Sequence, residues 1–80
     1  MKLSRIKPGG SAVIKSNNAP GAHGKRLLDM GFVPGAKVTV IRRAPFGDPV
    51  VVTLFGYTIG LRMSDADMIE TEISEEQRHI

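Results

Sequence analysis

From Lys37 the chain alternates strictly, Val38 and Val40 on one side and Lys37 and Thr39 on the other, which is the period of a half-buried strand. A second run, Val50 to Phe55, turns Val50, Val52 and Leu54 inward and leaves Val51 and Phe55 on the opposite face. Between the two, Ala44-Pro45-Phe46-Gly47-Asp48-Pro49 cannot continue a ladder, because its prolines lack amide donors and Gly47-Asp48 is turn chemistry. It therefore joins an antiparallel pair. Gly56 breaks the next boundary, and Tyr57 to Arg62 alternates again with Tyr57, Ile59 and Leu61 inward. Ser64-Asp65-Ala66-Asp67 reads as one helical turn capped by Ser64, and Ile69 to Ile73 as a last strand.

The first half is punctuated by two Pro-Gly turns, Lys7-Pro8-Gly9-Gly10 and Val33-Pro34-Gly35-Ala36. Proline presets the first turn position and glycine accepts positive φ at the second, so strands are expected from about Ser11 and Ala36. Ala22 to Met30 is the one helix. Leu27 and Leu28 supply its apolar face, and Gly31 stands where helices end in the left-handed conformation, folding Phe32 back on Leu27. Gly21 and Gly24 each cost a helix about 1 kcal/mol relative to alanine, so tertiary packing must hold it. Five short strands, tight turns and one helix are too few for a two-sheet sandwich, and closure into a small all-β barrel hides the edges.

Eighty residues make a single domain, 1–80, with its core expected at about 8–73 and a disordered tail at 75–80. With no cysteine and two histidines, His23 and His79, neither disulfide nor metal staples the fold. The absence of cysteine and the charged start Met1 to Lys7 point to a cytoplasmic chain, and no apolar run reaches the roughly 20 residues of a membrane span. Residues 1–43 hold nine basic and one acidic residue, and residues 44–80 two basic and seven acidic. A basic half invites nucleic acid, anionic lipid or an acidic protein surface, although strands from both halves interleave in a barrel.

Catalytic groupings are missing. His23 has no cysteine or elbow serine to work with, and Asp65 and Asp67 lack the glycine and distal glutamate of a calcium loop. No glycine-rich segment carries the Lys-Ser or Lys-Thr ending of a phosphate loop, so no nucleotide, metal or other cofactor is expected. One tyrosine and three phenylalanines are too few for the aromatic floor of a polyproline groove. What remains is apolar surplus outside the core, Val51, Phe55 and Phe46, with Asp48 in the same loop, and the basic side chains Lys25, Arg26, Arg42 and Arg43. These eight are the candidate partner contacts. A protein-binding module follows, not an enzyme. The alternative is a nucleic-acid-binding barrel, which would need stacking aromatics on its strands where only Phe55 and Tyr57 are available.

Three signatures in order resemble one family. Lys25-Arg26-Leu27-Leu28-Asp29-Met30-Gly31-Phe32-Val33-Pro34-Gly35 is similar to the helix-to-turn signature of the FeoA family, Ala44-Pro45-Phe46-Gly47-Asp48-Pro49 to its Ala-Pro-x-Gly-Asp-Pro loop, and Ile59-Gly60-Leu61-Arg62 with the acidic turn and Glu-x-Glu strand to its C-terminal segment. Leu27, Leu28, Met30, Gly31, Pro34, Gly35, Pro45, Gly47, Pro49, Leu61 and Arg62 carry the likeness. Ala19 stands before Pro20 where many relatives place a serine-like helix cap. The resemblance implies an SH3-like β-barrel of about five strands with one inserted helix. It also implies a cytoplasmic accessory protein that binds and modulates FeoB, the membrane ferrous-iron transporter with a cytoplasmic G domain. The same fold closes some iron-dependent repressors, so a detached repressor domain is the related alternative.

Overall fold

The computed structural model describes residues 1–73, and the tail expected to be disordered, 75–80, lies outside the described residues. Strands β1 (Ser11–Asn17), β2 (Lys37–Arg43), β3 (Val50–Leu54), β4 (Tyr57–Leu61) and β5 (Ile69–Ile73) form one antiparallel sheet in the order β4-β3-β2-β1-β5. Helix α1 (Gly21–Asp29) joins β1 to β2, and the short α2 (Met63–Ala66) joins β4 to β5. Register shifts between Ile14 and Ser16 in β1 and between Val40 and Arg42 in β2 mark bulges, which bend the strands and curl the sheet around one core. The second bulge leaves Ile41 exposed.

Both Pro-Gly turns form as the sequence predicts: Gly10 N–H donates to the Lys7 carbonyl at 2.9 Å and Ala36 N–H to that of Val33 at 3.1 Å, with Gly9 and Gly35 at φ 91° and 93°. The helix ends as expected too. Gly31 has φ 111°, its N–H donates to Leu28 O at 2.9 Å, and Phe32 N–H donates to Leu27 O at 3.0 Å. That pair of bonds is a Schellman closure, and it drives Phe32 and Leu27, both fully buried, into contact range of the same core.

The core is the inner face of the sheet, with Val38, Val40, Val50, Val52, Leu54, Leu61 and Ile69 clustered with Leu27, Phe32 and Ala66. Several expectations need correction. The core does not begin at Pro8: Leu3 and Ile6, around a 3₁₀ turn at Leu3–Arg5, are buried in it. This segment has no readable period because long-range bonds hold it, Thr71 N–H and Oγ1 both donating to the Met1 carbonyl at 2.8 and 2.6 Å. Tyr57 does share a face with Leu54, its register partner, but β4 is an edge strand and Tyr57 is 73% exposed. Leu28 is not part of the buried face; neighbouring helix positions diverge by about 100°, so only Leu27 reaches the core. Phe55 belongs to the β3–β4 turn and not to β3. Ser64 does not cap α2: Arg62 occupies that position, without a side-chain bond.

Gly24 is in α1 for a spatial reason. A Cβ there would collide with the Ala19 carbonyl, so helix and incoming chain touch only because the residue is glycine. Asn17 ties the same corner, its Nδ2 donating to Gly24 O and its Oδ1 accepting from Ala19 N–H, each at 3.0 Å. Pro20 takes the cap position with no side-chain bond, and Asn17 ties the incoming chain to the helix without capping its first-turn N–H groups.

Candidate interaction surfaces

The eight candidate contacts do not form one patch. The chain places them at both ends of the sheet, with β3 between them, about 17 Å of extended strand.

At one end, the β2–β3 connection folds tightly, Gly47 N–H donating to Ala44 O at 2.8 Å and Ala44 N–H to Pro49 O at 2.9 Å. Phe46 stands at its tip at φ 69°, wholly exposed at 107% of reference, so it does not fold back over the barrel. Asp48 Oδ1 accepts the Met63 N–H at 3.0 Å, supplying from the loop the cap that α2 lacks locally. Asp48 and Pro49, with Gly60 and Arg62, line a shallow depression of about 430 Å³. Arg42 lies opposite Val51 and is exposed, whereas Arg43 turns back, its Nη2 donating to Ser4 O at 2.7 Å and Ile6 O at 3.1 Å. Arg43 thus pins the N-terminal segment down.

At the other end, Leu54-Phe55-Gly56-Tyr57 makes a two-residue hairpin turn with both central residues left-handed, Phe55 at φ 52° and Gly56 at φ 80°. Such turns favour Asn-Gly or Asp-Gly, and a side chain with a Cβ costs about 1–2 kcal/mol in that conformation. Phe55 carries that strain while 66% exposed. Its ring sits on the end of α1: a Cβ at Gly31 would lie 3.1 Å from Phe55 Cδ2 and Cε2 and from Leu54 Cδ2. Lys25 and Arg26 are exposed on the same helix. The sequence places Leu28 with Leu27 on the apolar face of the helix and Met30 at its end, whereas both Leu28 and Met30 are exposed here. Leu27 and Leu28 lie about 100° apart on the helix, and the narrow stripe that α1 buries takes Gly24 and Leu27 only.

Val51, the second residue of β3 and so close to the β2–β3 connection, lies on the outer face opposite Gly60 and is half-buried. Across that face run Ser11, Thr39, Thr53 and Thr58, register partners in turn on four strands, with Ser11 and Thr39 hydroxyls 2.7 Å apart. A depression lined by Lys37, Thr39, Thr53 and Phe55 lies beside them.

The acidic turn serves the interior. Asp65, nearly buried, meets His23 Nε2 at 2.6 Å, and Asp67 accepts a hydrogen bond from the Ser4 hydroxyl. Together these bonds hold α1, α2 and the N-terminal turn against one another. Among the described residues no group of three or more His, Cys, Asp or Glu is placed to hold a metal ion, and no helix is long and apolar enough to cross a membrane.

Comparison with known proteins places this geometry. The family model described as FeoA domain matches residues 1–73. A Porphyromonas gingivalis Fe(2+) transport protein A/Fe(2+) transporter FeoB fusion protein is 42% identical over 73 residues, 91% of this chain but 9% of that protein. The chain thus spans about a tenth of the length of that relative. The solution structure of iron(II) transport protein A from Clostridium thermocellum is 44% identical with a TM-score of 0.86, over 91% of this chain and 45% of that one. Stenotrophomonas maltophilia FeoA complexed with zinc, named an SH3 domain protein, is 32% identical with a TM-score of 0.80, over 90% and 89% of the two chains.

Proposed function

Because this chain belongs to the FeoA family of ferrous-iron transport accessory proteins, with the SH3-like fold of that family, we propose that it is a cytoplasmic, non-enzymatic accessory that binds the FeoB transporter and modulates it by protein–protein contact. The observation that carries this reading is the fusion: in a relative 42% identical over 73 residues, the matching segment and a FeoB transporter are one protein. A covalent link holds two domains at an effective concentration of roughly millimolar, which suits a contact whose own affinity is modest. The candidate contacts are Phe46, Asp48, Val51 and Phe55 with Lys25, Arg26, Arg42 and Arg43.

Physical chemistry supports a binding role. Two phenylalanines, Phe46 and Phe55, stand exposed in left-handed backbone, where Phe46 gains no burial, Phe55 gains only partial cover from the end of α1, and both lose conformational energy. Natural turns with no such task use Asn or Gly. Strain combined with exposure is what a preorganised anchor looks like before its partner covers it.

The test is co-purification of the full chain with a co-expressed FeoB transporter from detergent-solubilised membranes, with and without nuclease. Recovery of the transporter, insensitive to nuclease, is expected. Recovery of nuclease-sensitive RNA in its place would overturn the reading in favour of a nucleic-acid-binding barrel.

A further inference from the structure

Four large apolar side chains that the core leaves outside gather where the end of α1 meets the β3–β4 turn. Leu28 and Met30 flank the close of the helix, and Phe55 and Tyr57 flank Gly56 in the turn; all four are exposed. Gly31 is the point of contact between the two groups, since a Cβ on it would press on Leu54 and Phe55 at 3.1 Å. The four side chains project from a helix end and a hairpin turn, not from a row along the unpaired outer edge of β4, and Tyr57 itself pairs with Leu54 on the β3 side. It suits the apolar stripe of a helix better than an added strand. Lys25 and Arg26, one to two turns before Gly31, are exposed and enter no ion pair among the described residues. Asp29 is the one acidic residue of α1.

We propose that Leu28, Met30, Phe55 and Tyr57 form the docking surface for an amphipathic helix of the transporter's cytoplasmic part, with acidic residues beside its apolar stripe that meet Lys25 and Arg26. This rests on the transporter-binding reading above and adds to it the surface and the chemistry of the segment bound. The left-handed Phe55 is the anchor. Turns of this kind favour Asn beside Gly, and although the Phe55 ring rests partly on Gly31, two thirds of the residue stays in water at φ 52°, so keeping Phe there points to a demand made from outside the domain. Charge complementarity makes capture weaken as ionic strength rises.

The full chain and its Phe55→Asn, Leu28→Gln and Arg26→Glu variants would be compared for capture of the co-expressed, detergent-solubilised transporter, with melting temperatures measured in parallel. Met68→Gln, an exposed apolar position elsewhere, serves as control. The expected result is capture by the parent and by Met68→Gln, and at least tenfold weaker capture by the three variants, with Phe55→Asn melting no lower than the parent. If Phe55→Asn proves less stable, Leu28→Gln and Arg26→Glu decide, as both lie on the exposed side of α1. Parent-like capture by those variants would overturn the surface and leave transporter binding standing. No capture by the parent would overturn the transporter reading and the surface with it.

Discussion

His23 Nε2 lies 2.6 Å from Asp65 Oδ1, so a half-exposed side chain of α1 supplies the partner of a nearly buried carboxylate of α2, across more than half the chain. His23→Ala leaves that carboxylate with little water to replace the bond, and a loss of about 1–2 kcal/mol is expected. In a domain this size each kcal/mol lowers the melting temperature by about 4–8 °C. His23→Gln, which keeps a donor, should recover part of the loss. Equal melting of parent and His23→Ala would show that the pair contributes nothing.

Asp48 caps α2 from a distant loop through the Met63 N–H. Asp48→Ala is expected to cost about 1 kcal/mol, as caps usually do, and Asp48→Asn much less. Amide exchange at Met63 to Ala66 should speed up in the alanine variant and stay near the parent's in the asparagine variant.

Phe46 is wholly exposed, so Phe46→Ala should melt within a few degrees of the parent, whereas truncating a core phenylalanine costs about 3–5 kcal/mol. As a partner contact it should nevertheless be needed for transporter capture. Unfolding near room temperature, or normal melting with undiminished capture, would remove it from the interface.

Ferrous iron is expected to bind the purified chain no more tightly than scattered surface carboxylates bind it. The sequence has no cysteine and two histidines, where iron sites draw on histidine with carboxylate or on thiolate. Anaerobic calorimetry checks this, and a stoichiometric site would bring His23 and Asp65 back into question.

The three arginines named as candidates should separate. Arg43→Ala removes a donor from two carbonyls that hold the N-terminal turn and should lower the melting temperature, while Arg26→Ala and Arg42→Ala should not. The chain alone should hydrolyse no GTP, as it has no phosphate loop. If it accelerates hydrolysis by the partner's G domain, Arg26→Ala or Arg42→Ala should weaken the effect; unchanged stimulation in all three variants would exclude an arginine acting in trans.

The candidate site was only partly legible in the sequence. Phe46 and Phe55 stood out because apolar side chains lay in a turn and on the outer phase of a strand, which are local properties. Their separation to opposite ends of β3 follows equally from chain order. Arg43 looked like Arg42, because nothing near it in sequence announces Ser4 and Ile6 as acceptors. Asp48 looked like turn chemistry alone, because Met63 is distant in sequence.

Backbone sterics and side-chain period, acting over a few residues, determined much of this protein by themselves: both Pro-Gly turns, the closure of α1 at Gly31, the inward phase of β2 and β3, and the loop at Pro45 to Pro49. Tertiary structure alone decided that β4 lies at an edge of the sheet, so that Tyr57 faces the right way yet meets mostly water. It alone decided that Gly24 must clear the Ala19 carbonyl, that Leu3 and Ile6 complete the core, and that His23 answers Asp65. Each of these depends on groups brought together by the whole fold, and a local pattern encodes a residue's own preferences but not the neighbour it will meet.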